Sequence, residues 1–92
     1  MSSNYLGYAD QELDRLTRRY QVHAGVDDYE TARRRVTVDH PELALEFTRV
    51  VEDRVHRETV AQMHRWKTQD YARALTFVLD SDPALKRAYA RT

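Results

Sequence analysis

Residues 28–47 read Asp28-Tyr29-Glu30-Thr31-Ala32-Arg33-Arg34-Arg35-Val36-Thr37-Val38-Asp39-His40-Pro41-Glu42-Leu43-Ala44-Leu45-Glu46-Phe47, and the pattern returns 42 residues later, from Asp70-Tyr71 through Pro83-Ala84-Leu85 to Tyr89. Without a gap, Tyr29 aligns with Tyr71, Ala32 with Ala74, Val36 with Val78, Pro41 with Pro83, Leu43 with Leu85 and Phe47 with Tyr89. The shared template is Tyr-x2-Ala-x3-Val-x4-Pro-x-Leu-x3-aromatic. Its residues are those that cap, kink and pack helices. The expected architecture is all-α: a compact five-helix bundle with an internal duplication of period 42 and one long central helix. One domain is expected over 1–92, with repeat 1 at about 10–49 and repeat 2 at about 52–91. Two units are too few for a solenoid, which generally needs three or more, so a closed pseudo-symmetric bundle is expected.

Outward from the template, helical spacing organises the rest. Leu6, Ala9, Leu13, Leu16 and Tyr20 form an apolar stripe on a first helix that begins near Ala9-Asp10, and His23 continues it. Asp10 is the candidate N-cap there, and Gly25 fits the left-handed residue that closes a helix. Asp27 starts the second helix, with Glu30 completing an acidic capping box and Tyr29, Ala32 and Val36 as its buried stripe. Proline disfavours helical geometry in the residue before it, so Asp39-His40-Pro41 ends that helix and Pro41 opens the next. From Pro41 to about Lys67 nothing breaks the pattern: Leu43, Phe47, Val50 or Val51, Val55, Thr59, Met63 and Trp66 recur at helical spacing. Thr68 or Gln69 then starts a fourth helix, and Asp82-Pro83 a short fifth. The repeats differ where Arg33, Arg35 and Thr37 correspond to Leu75, Phe77 and Leu79. The fourth helix is therefore apolar nearly all round, which means burial on several sides or an apolar face offered to a partner.

Composition narrows the function classes. Ninety-two residues with 41% hydrophobic and 33% charged side chains imply a thin core, supplied largely by nine aromatics. The absence of cysteine removes disulfides, zinc ribbons and thiol nucleophiles, and two glycines leave nothing for a phosphate-binding loop. No apolar run approaches the roughly 20 residues that cross a bilayer. Met1-Ser2-Ser3-Asn4-Tyr5 lacks the basic start and apolar core of a signal peptide, so a cytoplasmic protein with no membrane partner is expected. Formal net charge is zero, yet residues 1–46 hold six basic and nine acidic side chains, a net of −3, and residues 47–92 the reverse, +3. A neutral total argues against the broad positive field of nucleic-acid binders.

Few groupings suggest chemistry. Glu52, His56 and His64 fall roughly along one face of the long helix, a geometry able to hold a metal. The Glu-x2-His repeats of di-iron bundles and the His-Glu-x2-His motif are both absent, so Glu52–His56 reads as a surface pair. No metal and no cofactor are expected. Arg33, Arg34 and Arg35, with Arg15, Arg18 and Arg19, form the one notable basic cluster. It would bind phosphates in a nucleic-acid-associated protein, whereas local neutralisation by Asp27, Asp28, Glu30 and Asp39 makes it a solvated face. Tyr5, Tyr8 and Trp66 read as core staples or as interface anchors. No nucleophile–base order and no carboxylate pair in an apolar setting stands out, so no enzyme is expected.

The template resembles short helical segments of bacteriophage and prophage proteins, written Tyr-x2-Ala-x3-Val-x4-Pro-Glu-Leu-Ala-x2-Tyr. Tyr29, Ala32, Val36, Pro41, Glu42, Leu43 and Ala44 match it, and Phe47 replaces the last Tyr. The second copy departs from it at Ala84 and Lys86, and the two matches cover less than half of the chain. The resemblance implies a mobile-element origin and a small helical protein that acts by binding host or virion proteins. The expected function is thus non-catalytic protein binding as adaptor, inhibitor or assembly component, with self-association as a homodimer included. The partner-binding residues expected are Leu75, Phe77, Leu79, Trp66, Arg33, Arg34 and Arg35. The alternative is nucleic-acid association through the arginine cluster.

Overall fold

Pro41 and Pro83, Asp28 and Asp70, and Gly25 each mark a helix boundary in the computed structural model, which describes residues 5–92. Most of the signal-peptide expectation, at Met1–Asn4, lies outside the described residues. The elements are α1 (Tyr8–Ala24), α2 (Tyr29–Asp39), α3 (Pro41–Trp66), α4 (Tyr71–Ser81) and α5 (Pro83–Ala90). The described residues contain no strand. Their contacts gather into two units, one ending at Phe47 and one covering Thr48–Thr92, with the division inside α3.

Several boundaries recur at the spacing of the template. Helices α2 and α4 begin at Tyr29 and Tyr71, 42 residues apart, and Pro41 and Pro83 open α3 and α5. Asp28 caps α2 by accepting from the Thr31 N–H at 3.0 Å, and Asp70 caps α4 by accepting from the Arg73 N–H at 3.1 Å. These caps correct two expectations. The second helix is capped by Asp28 rather than Asp27, because the Asp28 carboxylate is the one that reaches the third amide beyond it. The fourth begins after Asp70 rather than at Thr68 or Gln69, since the Thr68 hydroxyl accepts the Asp70 N–H (3.1 Å) and holds the chain in a turn. At α1 the N-cap position falls to Gly7, which has no side chain to cap with. Asp10 instead sits inside the first turn and accepts from the Leu6 N–H at 3.0 Å.

The helix ends repeat as well. Gly25 (φ 65°) and Lys67 (φ 54°) are both left-handed. The next amides, Val26 N–H and Thr68 N–H, donate five residues back to the Gln21 and Met63 carbonyls at 3.2 and 3.0 Å. This is the Schellman closure, which glycine adopts without strain and an L side chain does not. A Cβ added at Gly25 would meet nothing within 4 Å, so its substitution is penalised by backbone conformation alone. Lys67→Gly should therefore stabilise the chain by about 0.5–1 kcal/mol, and Gly25→Ala should cost about 1 kcal/mol. Urea denaturation of both variants checks this; a Lys67→Gly loss would mean that the lysine side chain outweighs the strain.

In the first unit α1 packs on α2, and the buried side chains include Ala9, Leu13, Thr17, Ala32, Val36 and Phe47. In the second unit they include Val51, Val55 and Thr59 of α3, Ala74 and Val78 of α4, and Leu85 and Ala88 of α5. Thr17 and Thr59 are fully buried, each hydroxyl donating to the carbonyl one turn back (Leu13 at 2.6 Å, Val55 at 2.7 Å). That internal bond lets a polar residue sit where two helices press close. Other positions depart from the expected stripes. Tyr29 is half-buried, Tyr71 and His23 are exposed, and Val51 rather than Val50 takes the core position on α3. Among the described residues no helix is long and apolar enough to cross a membrane.

Candidate functional site

Two i,i+4 pairs face each other in the first unit: Asp10 and Asp14 on α1, Tyr29 and Arg33 on α2. The Arg33 guanidinium is 4% exposed and donates from Nη2 to Asp10 Oδ1 at 2.7 Å. Its Nη1 donates to the Tyr29 hydroxyl at 3.0 Å, and that hydroxyl donates to Asp14 Oδ1 at 2.6 Å. Asp14 Oδ2 accepts from the Tyr5 hydroxyl (2.8 Å) and from Arg18 Nε (3.0 Å). The Phe47 ring closes the group, its centroid 4.9 Å from the guanidinium carbon. Burial pushes the Asp14 carboxyl up, but hydrogen bonds from Tyr29, Tyr5 and Arg18 outweigh it and hold the carboxyl below its usual value. Burial and the bond to Asp14 together raise the Tyr29 phenol.

Arg33, one of the expected binding residues, is thus buried within the first unit. A buried guanidinium needs a buried carboxylate, and Asp10 on α1 supplies it. Among the described residues no buried side-chain nitrogen or oxygen lacks a hydrogen-bond partner, so the network is complete as it stands. Its geometry pins α1 to α2. The sequence carries one signal for it that the composition hides: Asp10 and Asp14 lie on the same face as Leu13 and Thr17.

The second unit answers with a lighter pair at the corresponding places. Tyr71 OH and His56 Nδ1 lie 3.1 Å apart, with ring centroids separated by 5.8 Å. Leu75 stands half-buried where the first unit has Arg33. The expected Glu52–His56 surface pairing gives way to this His–Tyr contact. His64 is exposed, and among the described residues no three His, Cys, Asp or Glu side chains converge in a way that would hold a metal.

The rest of the arginine cluster is largely engaged. Arg15 pairs with Glu12 (2.6 Å), Arg18 with Asp14 (3.0 Å) and Arg35 with Asp39 (3.5 Å). Arg34 is exposed and reaches the Thr31 hydroxyl at 3.5 Å. A phosphate backbone would have to displace local carboxylates from most of this surface.

A different group stands open on the second unit. Trp66, at the end of α3, meets Phe77 of α4 edge to face, with ring centroids 4.7 Å apart. The Arg73 guanidinium carbon lies 5.3 Å from the Trp66 centroid. Trp66 is 37% and Phe77 45% exposed, while Leu75 and Leu79 are half-buried on the same helix. Of the expected partner-binding residues, Trp66 and Phe77 are thus brought together, and Arg73 is a member that sequence reasoning missed. Its signal was its place seven residues after Trp66, across the turn. Compared with known proteins, the chain matches no family model, and neither a curated protein nor a solved structure is similar to it.

Proposed function

We propose that the chain is a small non-catalytic protein-binding protein whose contact face is centred on Trp66 and Phe77. The observation that carries this reading is the edge-to-face pair of large aromatics left open at the surface with a guanidinium laid on one of them. Tryptophan and arginine are the residue types that dominate binding energy at protein interfaces, and exposing two rings to water without a partner is unfavourable. Leu75 and Leu79 extend the apolar surface, and Arg34 and Arg35 belong to the reading only as a solvated polar face. The duplicated helical unit is part of the proposal. It is supported by helices α2 and α4 of equal length, the paired Asp caps and the paired left-handed closures. A cytoplasmic setting and the mobile-element origin rest on composition and on the residues of the phage-like template.

The test is affinity capture from a native lysate, with and without nuclease, comparing wild type with the Trp66→Ala/Phe77→Ala variant. A protein partner held in both nuclease arms and lost with the variant is the expected result. Capture that vanishes with nuclease, and survives the variant, would transfer the function to nucleic-acid association.

A further inference from the structure

The turns joining α1 to α2 and α3 to α4 share one backbone: a left-handed residue (Gly25, Lys67) followed by an aspartate cap (Asp28, Asp70). Their charges are opposite. Residues 22–30 hold Asp27, Asp28 and Glu30 and no lysine or arginine, whereas residues 64–73 hold Arg65, Lys67 and Arg73 against Asp70 alone. Among the described residues no ion pair engages Arg65, Lys67, Arg73 or Asp27; Arg65 donates to Gln62 at 3.1 Å and Arg73 lies over Trp66. Each turn also has an apolar contribution. Val22 is 82% exposed one turn before Gly25, and Trp66 and Phe77 flank the basic turn.

We propose that the α3–α4 turn of one copy docks on the α1–α2 turn of a second copy. Lys67 and Arg73 meet Asp27 and its acidic neighbours, and Val22 covers the Trp66–Phe77 rings. The inference rests on the protein-binding reading above and names its partner. A second copy is the occupant that the charge distribution favours: each copy carries both halves of a complementary pair, and the chain as a whole is neutral. Such a contact either closes around a two-fold axis into a dimer or continues head to tail. It also weakens with salt, because its charged rim faces water.

Sedimentation velocity of the full chain across concentrations, at low and high salt, tests this. Wild type should associate as its concentration rises, and at least about tenfold more weakly in high salt. Lys67→Glu/Arg73→Glu and Val22→Lys/Asp27→Lys should each be monomeric, with wild-type circular dichroism. Mixed one to one they should associate again, since each supplies the intact turn that the other lacks. Should either paired variant fail to fold, Trp66→Ala and the wild-type salt response decide the point. A wild type that stays monomeric at every concentration overturns the inference and leaves the protein-binding reading for lysate capture to judge. Association lost in the Lys67/Arg73 variant but kept in the Val22/Asp27 variant also overturns it, because the basic turn would then be packing on itself or on another surface.

Discussion

Arg33→Met will destabilise the chain by about 3–5 kcal/mol, the cost of removing one member of a buried ion pair. The loss has two parts. Asp10 keeps its burial but loses the 2.7 Å guanidinium bond, and the Tyr29 hydroxyl loses the donor that fills its lone pair. A carboxylate left unpaired in a buried site is penalised more than the pair was worth, so the effect exceeds an ordinary surface change. Arg34→Met and Arg35→Met, one and two residues on, should stay within about 0.5 kcal/mol, because both side chains are exposed. The same argument fixes the double variant. Asp10→Leu/Arg33→Met removes both charges and should recover part of the loss, as buried ion pairs replaced by packed apolar residues often do. Recovery will stop short of wild type, since Asp10 also holds the Leu6 N–H. Chemical denaturation of the five proteins reads all of this. Equal small losses at the three arginines would place Arg33 in solvent.

That contrast also says what the residues could reveal unaided. Helix limits were legible where one residue decides the backbone: Pro41 and Pro83 at helix starts, Gly25 at a helix end, Asp82 before α5. Shifts of one or two residues came from competing carboxylates and hydroxyls, Asp27 against Asp28 and Thr68 against Asp70. Only distance to the amide separates those. Lys67 carried no signal, because a lysine in left-handed backbone looks like any lysine. Arg33 was harder still, set inside a run of three arginines whose flanks are solvated. Its repeat counterpart Leu75 is apolar, but that difference read as a property of the fourth helix and not as burial of Arg33. Asp10 read as the N-cap of the first helix, a role compatible with burial but silent about it. The Trp66–Phe77 pair was legible as two exposed candidates. Their contact, and the guanidinium of Arg73 above it, depends on the angle at which α4 leaves the turn.

Tyr29→Ala should cost about 2–4 kcal/mol and Tyr71→Ala about 1 kcal/mol, although the two residues hold the same place in the template. Both rings are at best half-buried, so truncation alone separates them little. The difference comes from what each hydroxyl holds. Tyr29 donates to a carboxylate and accepts from a buried guanidinium, whereas Tyr71 contacts one exposed imidazole. Tyr29→Phe isolates that contribution and has a pH signature. Asp14 is held below its unfolded value despite burial, so its stabilisation is present above about pH 4 and is lost as pH falls through the lower folded value. Removing the Tyr29 donor leaves the burial that pushes Asp14 up, and the acid unfolding midpoint of Tyr29→Phe moves to higher pH. At the alkaline end the sign reverses. The folded Tyr29 phenol is raised by burial and by Asp14, so its contribution is complete below about pH 10 and is lost as pH rises through the folded value. Tyr29→Phe lacks that alkaline loss, while Tyr71→Phe should follow wild type at the acid end. Thermal melts from pH 2 to 11 measure both ends. If Tyr29→Phe and Tyr71→Phe shift the acid midpoint equally, the Asp14 carboxylate is not what Tyr29 stabilises, and the buried network does not hold α1 to α2 in the way described.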